Sequence, residues 1–303
     1  MEECTVAKII QCVPNFSEGR DRILVDKIVN EIKSVDKVKL LDYSMDKDHN
    51  RTVVTIIGEP EAVIEAAFRA TKKASELINM NEHHGEHPRM GATDVIPLIP
   101  ISEVTMDECV ALSKTLGARI GSELGISVFL YEKSASSPSR ENLAEVRKGQ
   151  YEGMNEKLKK EGWTPDFGPV ELNIKSGVTA VGARMPLVAY NINLATNNLD
   201  IAKKIAKAIR AKTGGFTYCK ALGIEIKERD IVQVSINMVD FTKTPLFRVF
   251  DAVEREAKRY GVNVLGSEII GLLPMEALID VADYYLRLEG FDKNQILEKR
   301  MAE

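Results

Sequence analysis

The 303-residue sequence lacks both a long apolar run and a cluster of basic residues. No apolar stretch approaches the roughly 18–20 residues that cross a bilayer. Residues 1–15 carry acids and a lysine where a secretory signal needs an uninterrupted apolar core. The 41 Lys and Arg and 45 Asp and Glu give a net charge of −4, without the basic patch that nucleic-acid binding requires. The sequence therefore predicts a cytoplasmic protein with neither a membrane nor a nucleic acid as partner.

Cysteine is scarce, and several familiar motifs are missing. Cys4, Cys12, Cys109 and Cys219 are widely spaced and form no CxxC pair, so neither a disulfide framework nor a zinc ribbon is indicated. The sequence contains no GxGxxG or GxxxxGKS/T phosphate loop and no GxSxG nucleophile elbow. Dinucleotide, nucleoside-triphosphate and serine-hydrolase sites are therefore unsupported.

The apolar patterning predicts two halves with the same order of elements. The second half follows β-α-β-β-α-β, which is the split βαβ or ferredoxin-like order, and the first half adds one helix and one strand. The predicted fold class is α/β (α+β), with two subdomains at residues 1–180 and 181–303, each a mixed β-sheet with helices in ferredoxin-like split βαβ order. The predicted strands cover residues 8–12, 38–43, 52–58, 95–101, 126–131, 187–194, 219–226, 231–239 and 262–269, and the predicted helices cover residues 21–34, 61–78, 105–121, 142–160, 200–212 and 245–260.

All four histidines lie between positions 49 and 87, and three of them occur in the stretch from His83 to Gly91. One interpretation is a metal site, because His83 and His87 are four residues apart. However, Gly85 and Pro88 disfavour a regular helix there, and the glutamate does not stand in the HExxH position. A second interpretation is that His83 and His84 are ordinary loop residues.

The third interpretation is acid–base chemistry by His87. Imidazole, with an ordinary pKa of about 6.5, is suited to moving protons near neutral pH. Its loop precedes a predicted strand, a place where a rigid scaffold presents catalytic groups. Glu86 and Asp94 are close enough in sequence to orient a ring nitrogen.

Several motifs resemble those of the glutamate formimidoyltransferase family, the formiminotransferase domain of formimidoyltransferase-cyclodeaminase. The segments that carry this resemblance span the chain: CVPNFSEG at 12–19, NRTV at 50–53, HHGEHPRMGA at 83–92, MDEC at 106–109, PDFGP at 165–169, GAR at 182–184 and NINL at 191–194. Because the sequence ends at Glu303, the resemblance is to the stand-alone form without a cyclodeaminase domain.

The resemblance implies two subdomains with a folate tunnel between them, a homodimer, and a place in histidine degradation and one-carbon metabolism. It implies that His87, in the His-Pro-Arg-Met-Gly motif, is catalytic. It also implies a folate-contacting segment at residues 168–177, although residues 170–175 differ from the vertebrate sequences. This segment consists of Gly168, Pro169, Val170, Glu171, Leu172, Asn173, Ile174, Lys175, Ser176 and Gly177.

The implied reaction moves a formimidoyl, or alternatively a formyl, group between nitrogen 5 of tetrahydrofolate and the amino group of L-glutamate. Tetrahydrofolate is then a co-substrate and no metal is needed. One imidazole can act first as base and then as acid. Both substrates are anionic, so we predict that Arg51, Arg89 and Arg184 bind their carboxylates. The alternatives are a metal-dependent hydrolase using His83, His84 and His87, and a non-catalytic folate-binding module.

Overall fold

The computed structural model describes residues 7–302 and contains two β-sheets flanked by helices. The strands are Ile9–Cys12 (β1), Asn15–Phe16 (β2), Val38–Asp46 (β3), Arg51–Gly58 (β4), Thr93–Ser102 (β5), Ser127–Glu132 (β6), Val178–Ala183 (β7), Val188–Leu194 (β8), Cys219–Ile226 (β9), Ile231–Met238 (β10) and Val264–Ile270 (β11). The helices are Arg22–Lys33 (α1), Pro60–Leu77 (α2), Met106–Leu124 (α3), Pro138–Glu141 (α4), Leu143–Arg147 (α5), Gln150–Leu158 (α6), Leu199–Ile209 (α7), Leu246–Arg259 (α8), Met275–Leu286 (α9) and Leu297–Ala302 (α10). The mixed α/β fold class is thereby confirmed.

The described residues divide into two compact units, with the division between Arg184 and Met185. The first unit contains the seven strands β1–β7 in one sheet. Its strand β5 pairs in parallel with β7, and β7 pairs in parallel with β6, whereas β3 and β4 form an antiparallel pair. Helices α1, α2 and α3 pack their apolar faces into the main core of this unit. A capping box of Thr105 and Glu108 begins α3, as the sequence predicts.

Two short helices of the first unit contribute to a second apolar cluster. Val146 of α5 and Met154 of α6 are buried with Phe129 and Tyr131 of β6. The sequence predicts one helix over residues 142–160, but the structure has two, because Gly149 adopts a left-handed backbone (φ 96°) between them. This break allows the last residue of α5, Arg147, to approach the start of β5.

The second unit has the predicted β-α-β-β-α-β order. Its sheet runs β11-β8-β10-β9, and every neighbouring pair is antiparallel, so the mixed sheet predicted for each subdomain is found only in the first unit. Strand β10 therefore lies between β8 and β9, which is the split βαβ arrangement. Helices α7 and α8 bury Ile205 and Val249 against the sheet.

Strand β7 is absent from the sequence-based prediction. It runs through residue 180, where the sequence analysis places the boundary between the two subdomains. Its six residues are all buried. A strand buried on both faces has no apolar–polar alternation, so its sequence VTAVGA does not indicate a strand by period alone.

The described cysteines are all free thiols. Cys12, Cys109 and Cys219 are buried, whereas Cys4 is outside the described residues. Within residues 7–302, no helix combines the length and the apolarity needed to cross a membrane.

Candidate active site

The histidine-rich loop connects α2 to β5 and is held by close backbone contacts. A Cβ at Gly85 would lie 2.3 Å from the His49 carbonyl oxygen, and one at Gly91 would lie 2.4 Å from the Val178 carbonyl oxygen. Both contacts are too short for any side chain. Glycine is therefore required at these two positions because the loop passes directly against neighbouring backbone.

Asn50 joins this loop to the beginning of β4. Its backbone is left-handed (φ 48°), a conformation that asparagine tolerates better than most residues. Its Oδ1 accepts the Gly19 N–H at 2.9 Å, and its Nδ2 donates to the His84 carbonyl at 3.0 Å. The asparagine of the NRTV segment thereby fixes the backbone next to Arg51.

His83 is buried, and both of its ring nitrogens are engaged. Nε2 lies 2.9 Å from the Asn50 carbonyl, to which it can only donate, and Nδ1 accepts the Nε–H of Arg89 at 3.1 Å. These two contacts define one neutral tautomer. Burial, the largest cause, lowers the pKa of His83 below its ordinary value. His83 is thus a neutral structural residue with no lone pair left for a metal.

Arg89 uses all five of its N–H donors within the protein. Besides His83 Nδ1, it donates to the His83 carbonyl at 3.1 Å and to Gln150 Oε1 at 3.0 Å. Its Nη1 and Nη2 bind the two carboxylate oxygens of Glu152 at 2.8 and 2.6 Å. This two-pronged ion pair fastens the loop to α6. The geometry leaves Arg89 no donor for a substrate, so its predicted role as a carboxylate ligand has no geometric support.

His87 has a different environment, dominated by Arg51. Arg51 Nη1 lies 3.1 Å from Nε2 of His87 and 3.5 Å from Nδ1. The imidazole lone pairs diverge in the ring plane, so a donor aligned with one of them cannot be close to the other nitrogen. The guanidinium is therefore aligned with neither nitrogen.

The electrostatic environment keeps His87 uncharged. Burial, followed by the positive charges of Arg51 and Arg147, lowers its pKa to about 3, and His49 adds to this effect. Asp46 opposes it, but the Asp46 Oδ2 is bound to His49 Nδ1 at 2.7 Å. At neutral pH His87 is consequently an uncharged imidazole.

Arg147 and Asp94 form a pair that the sequence does not reveal. Asp94 is only 1% exposed; its Oδ1 accepts the Met90 N–H at 2.9 Å and its Oδ2 accepts a short hydrogen bond from Arg147 Nη2. Asp94 thus orients Arg147. The sequence had instead suggested that Asp94 could orient an imidazole nitrogen. Arg147 lies in a charged stretch with no motif, so only its contacts reveal it.

His49 also escapes sequence reasoning, because its segment has the composition of a turn. Its ring lies edge-on to that of His87, with ring centroids 6.3 Å apart. The short polar segment between β3 and β4 therefore contributes to the surroundings of His87 as well as forming a turn.

The predicted folate-contacting segment runs beside the histidine loop. Met80 N–H donates to the Lys175 carbonyl at 2.9 Å and Ala92 N–H donates to the Ser176 carbonyl at 2.8 Å. Gly177, with a φ of 69°, is bridged to Gly91. The segment also presents apolar side chains outward: Val170 is 49% exposed and Ile174 is 65% exposed.

The backbone of Arg184 lies farther along the first sheet, and its side chain makes a hydrogen bond with Tyr131 of β6. The Arg184 N–H donates to the Leu98 carbonyl at 3.0 Å, five residues along β5 from Thr93. At about 3.3 Å per residue, this is roughly 16 Å from the end of the strand that adjoins the histidine loop. The structure therefore brings Arg51 to His87 but places the Arg184 backbone well along β5 from that loop.

Metal binding has no support in this geometry. Among residues 7–302, no group of three or more His, Cys, Asp or Glu side chains is placed to hold a metal ion. His83 cannot join His84 and His87 as a ligand in this geometry, since both of its ring nitrogens are already hydrogen-bonded.

Two family models match this chain. The N-terminal subdomain of the formiminotransferase domain matches residues 9–184, and the formiminotransferase domain matches residues 189–301. Together they cover nearly all of the sequence.

Curated relatives agree with these matches. The chain is 57% identical to the glutamate formimidoyltransferase of Streptococcus pyogenes serotype M1, covering 98% of this chain and 99% of that protein. It is 50% identical to the glutamate formimidoyltransferase of Thermoplasma acidophilum, covering 97% of each. It is 42% identical to the formimidoyltransferase-cyclodeaminase of Mus musculus, over 92% of this chain but 53% of that protein.

Proposed function

The chain belongs to the formiminotransferase domain family, and we propose that it transfers a formimidoyl group between nitrogen 5 of tetrahydrofolate and the amino group of L-glutamate. Transfer of a formimidoyl group to glutamate is supported by relatives of that name over nearly the whole chain. The structural observation that carries the proposal is His87, an uncharged imidazole next to the partly unpaired guanidinium of Arg51.

The reaction requires two proton movements. The glutamate amine forms a bond to the formimidoyl carbon and loses a proton, and the bond from that carbon to nitrogen 5 breaks as nitrogen 5 gains one. We assign both to His87, which accepts the proton from the amine and then donates it to nitrogen 5. A single group acting as base and then acid contributes about 10²–10⁴-fold to a rate.

His87 suits these steps better than the other histidines. His83 is held in one tautomer by two hydrogen bonds, and Nδ1 of His49 is bound to Asp46. The His84 side chain is exposed, so it is not shielded from water.

A pKa of about 3 makes His87 a weak base in the free protein. Because Arg51 contributes to that low value, an anionic substrate on Arg51 raises the basicity of His87 when it binds.

We assign binding of the folate co-substrate to residues 168–177, as the family resemblance implies. Exposed Val170 and Ile174 offer apolar contacts for an aromatic ring system. The resemblance likewise supports a homodimer, a cytoplasmic location and a role in histidine degradation. No metal enters the proposed chemistry.

A transfer assay tests this function. The purified protein is given 5-formimidoyltetrahydrofolate with glutamate, glutamine or aspartate, and formation of tetrahydrofolate and of the N-formimidoyl amino acid is measured. We expect transfer to glutamate to be fastest. A parallel reaction with 5-formyltetrahydrofolate determines which one-carbon group is preferred.

The outcome separates the remaining alternatives. Hydrolysis of the donor without an amino-acid product, dependent on added metal, contradicts transfer and favours a hydrolase. Tight binding of the donor with no product in a single turnover favours a non-catalytic folate-binding module.

A further inference from the structure

Four buried or half-buried arginines of the first unit form two groups. Arg89 has all five donors occupied by protein atoms. Arg140 has both η nitrogens occupied, although its Nε is buried without a partner: Nη2 donates to the Gly162 and Thr164 carbonyls at 2.7 and 2.6 Å, and Nη1 donates to Ser136 and Asp166. These two side chains join segments of the fold.

Arg51 and Arg147 form the second group. The only hydrogen bond of the Arg147 side chain to the described residues goes from Nη2 to Asp94. Its Nη1 therefore has no partner among them, and its Nε is buried without one. In the described part of the chain, all polar contacts of the Arg51 side chain come from Nη1, so its Nη2 has no partner there. These η nitrogens, which are occupied by protein atoms in Arg89 and Arg140, are the donors through which a guanidinium binds an anion, so we infer that a ligand supplies their partners.

The position of Arg147 is fixed from two directions. Its neighbour Val146 is fully buried in the apolar cluster with Phe129 and Tyr131. Its guanidinium is held by Asp94, which is itself held by the Met90 N–H. The Arg147 side chain nevertheless remains 17% exposed. It is therefore a rigidly presented cation with donors still available.

Both cations act on the same imidazole. Arg51 and then Arg147 are the charged groups that most lower the pKa of His87, and Arg147 also lowers the pKa of Arg51. The geometry agrees, because Arg51 contacts His87 and Arg147 binds Asp94, whose other oxygen accepts the N–H of Met90, three residues after His87 in the same loop. Arg51 is in contact with the His87 ring, whereas Arg147 is anchored at Asp94.

We propose that Arg147 binds the side-chain carboxylate of the amino-acid acceptor and thereby sets the preference for glutamate over neutral amino acids. This inference rests on the proposed function. In an α-amino acid, the amine and the α-carboxylate share one carbon, so the partner of the α-carboxylate must adjoin the base, as Arg51 does. The side-chain carboxylate lies farther along the acceptor and needs a second cation in the same site.

The carboxylates of folate fit Arg147 less well. They are on the far side of the aminobenzoyl group from nitrogen 5. An arginine that shares a site with the proton-transferring His87 is therefore placed for the acceptor, not for the folate tail.

The experiment compares glutamate with glutamine, which differs only in lacking the side-chain charge. With saturating 5-formimidoyltetrahydrofolate, we expect Arg147→Gln to reduce kcat/KM for glutamate about ten- to a hundred-fold, mainly through KM, because a charged hydrogen bond of ordinary strength is lost. The kcat/KM for glutamine should stay within about two-fold of that of the unmodified protein, and KM for the folate donor should be unchanged. Arg259→Gln, in an exposed ion pair with Glu256, is the control.

A second variant guards against misfolding, because Arg147→Gln leaves the Asp94 carboxylate buried without its cation. The double variant Asp94→Asn/Arg147→Gln removes both charges, and the amide oxygen that it introduces can still accept the Met90 N–H. We expect the same loss of preference for glutamate. Thermal unfolding of each variant is followed alongside the kinetics.

Several outcomes overturn the inference. Equal losses for glutamate and glutamine in both variants identify Arg147 as structural, and an increase confined to KM for the donor assigns it to folate. An unchanged glutamate-to-glutamine ratio also contradicts it. If the unmodified protein transfers the group to no amino acid, the proposed function itself fails, and this result is distinct from the others.

Discussion

His83 and His87 are four residues apart in one loop, yet their environments differ. His83 accepts from Arg89 with one ring nitrogen and faces the Asn50 carbonyl with the other. His87 is also approached by a guanidinium, but Arg51 is aligned with neither of its nitrogens. The comparison teaches that residue type does not determine the role of a histidine here. The two histidines differ in the direction from which an arginine approaches the ring.

The two arginines show the same difference. Arg89 is neutralised by both oxygens of Glu152 and is saturated with hydrogen bonds. Arg51 makes no ion pair with a described carboxylate and keeps a buried Nε without a partner. Arg89 is therefore fixed to the protein by all its donors, whereas Arg51 keeps donors without a partner among the described residues.

The largest expected effect is that of His87→Gln on turnover. If His87 transfers the protons, kcat falls about 10²–10⁴-fold, whereas the free energy of unfolding falls by no more than about 1 kcal/mol, because glutamine is polar like histidine and Arg51 is aligned with neither ring nitrogen. Steady-state kinetics and urea unfolding measure the two quantities. A loss of stability with intact kcat reverses the assignment of the two histidines.

Arg51→Lys should have the next largest effect. Lysine keeps the charge but loses the planar guanidinium, which can bind a carboxylate through two hydrogen bonds. We therefore expect kcat/KM for glutamate to fall about ten- to a hundred-fold. The control is Arg22→Lys, at an exposed arginine of α1, for which a change below about two-fold is expected. Full activity of Arg51→Lys would mean that a point charge is sufficient at this position.

His83→Ala should reduce stability more than turnover. It leaves the Arg89 Nε–H and the Asn50 carbonyl without partners, which costs about 1–3 kcal/mol, while kcat stays within a few-fold. His84→Ala, at the exposed neighbour, is the control and should change neither quantity. A loss of kcat by His83→Ala at unchanged stability contradicts the structural role.

The smallest effect concerns acid stability. Both histidines have a pKa below 6.5 in the folded protein, and that of His87 is about 3. Below pH 6.5 the unfolded chain therefore binds more protons than the folded one, so the free energy of unfolding falls as the pH falls. Urea unfolding at pH 7 and pH 5 measures this slope, and His87→Gln should make it shallower. An equally steep slope means that other groups account for the acid sensitivity.

Prediction from sequence succeeded where a signal repeats locally. The apolar periods of residues 187–269 predict the element order of the second unit, and Thr105 with Glu108 marks the beginning of α3. Prediction failed where the local signal is weak. Strand β7 is buried on both faces, and the helical pattern of residues 142–160 conceals the break at Gly149.

The sequence by itself determined the family, the fold class and the loop that contains His87, because these depend on motifs and on short-range patterns. Only the tertiary structure decided which arginines remain available. Arg89 meets Glu152 from 63 positions away, and Arg147 meets Asp94 from 53 positions away. Hydrogen-bond saturation depends on such distant partners, and no local pattern of residues encodes it.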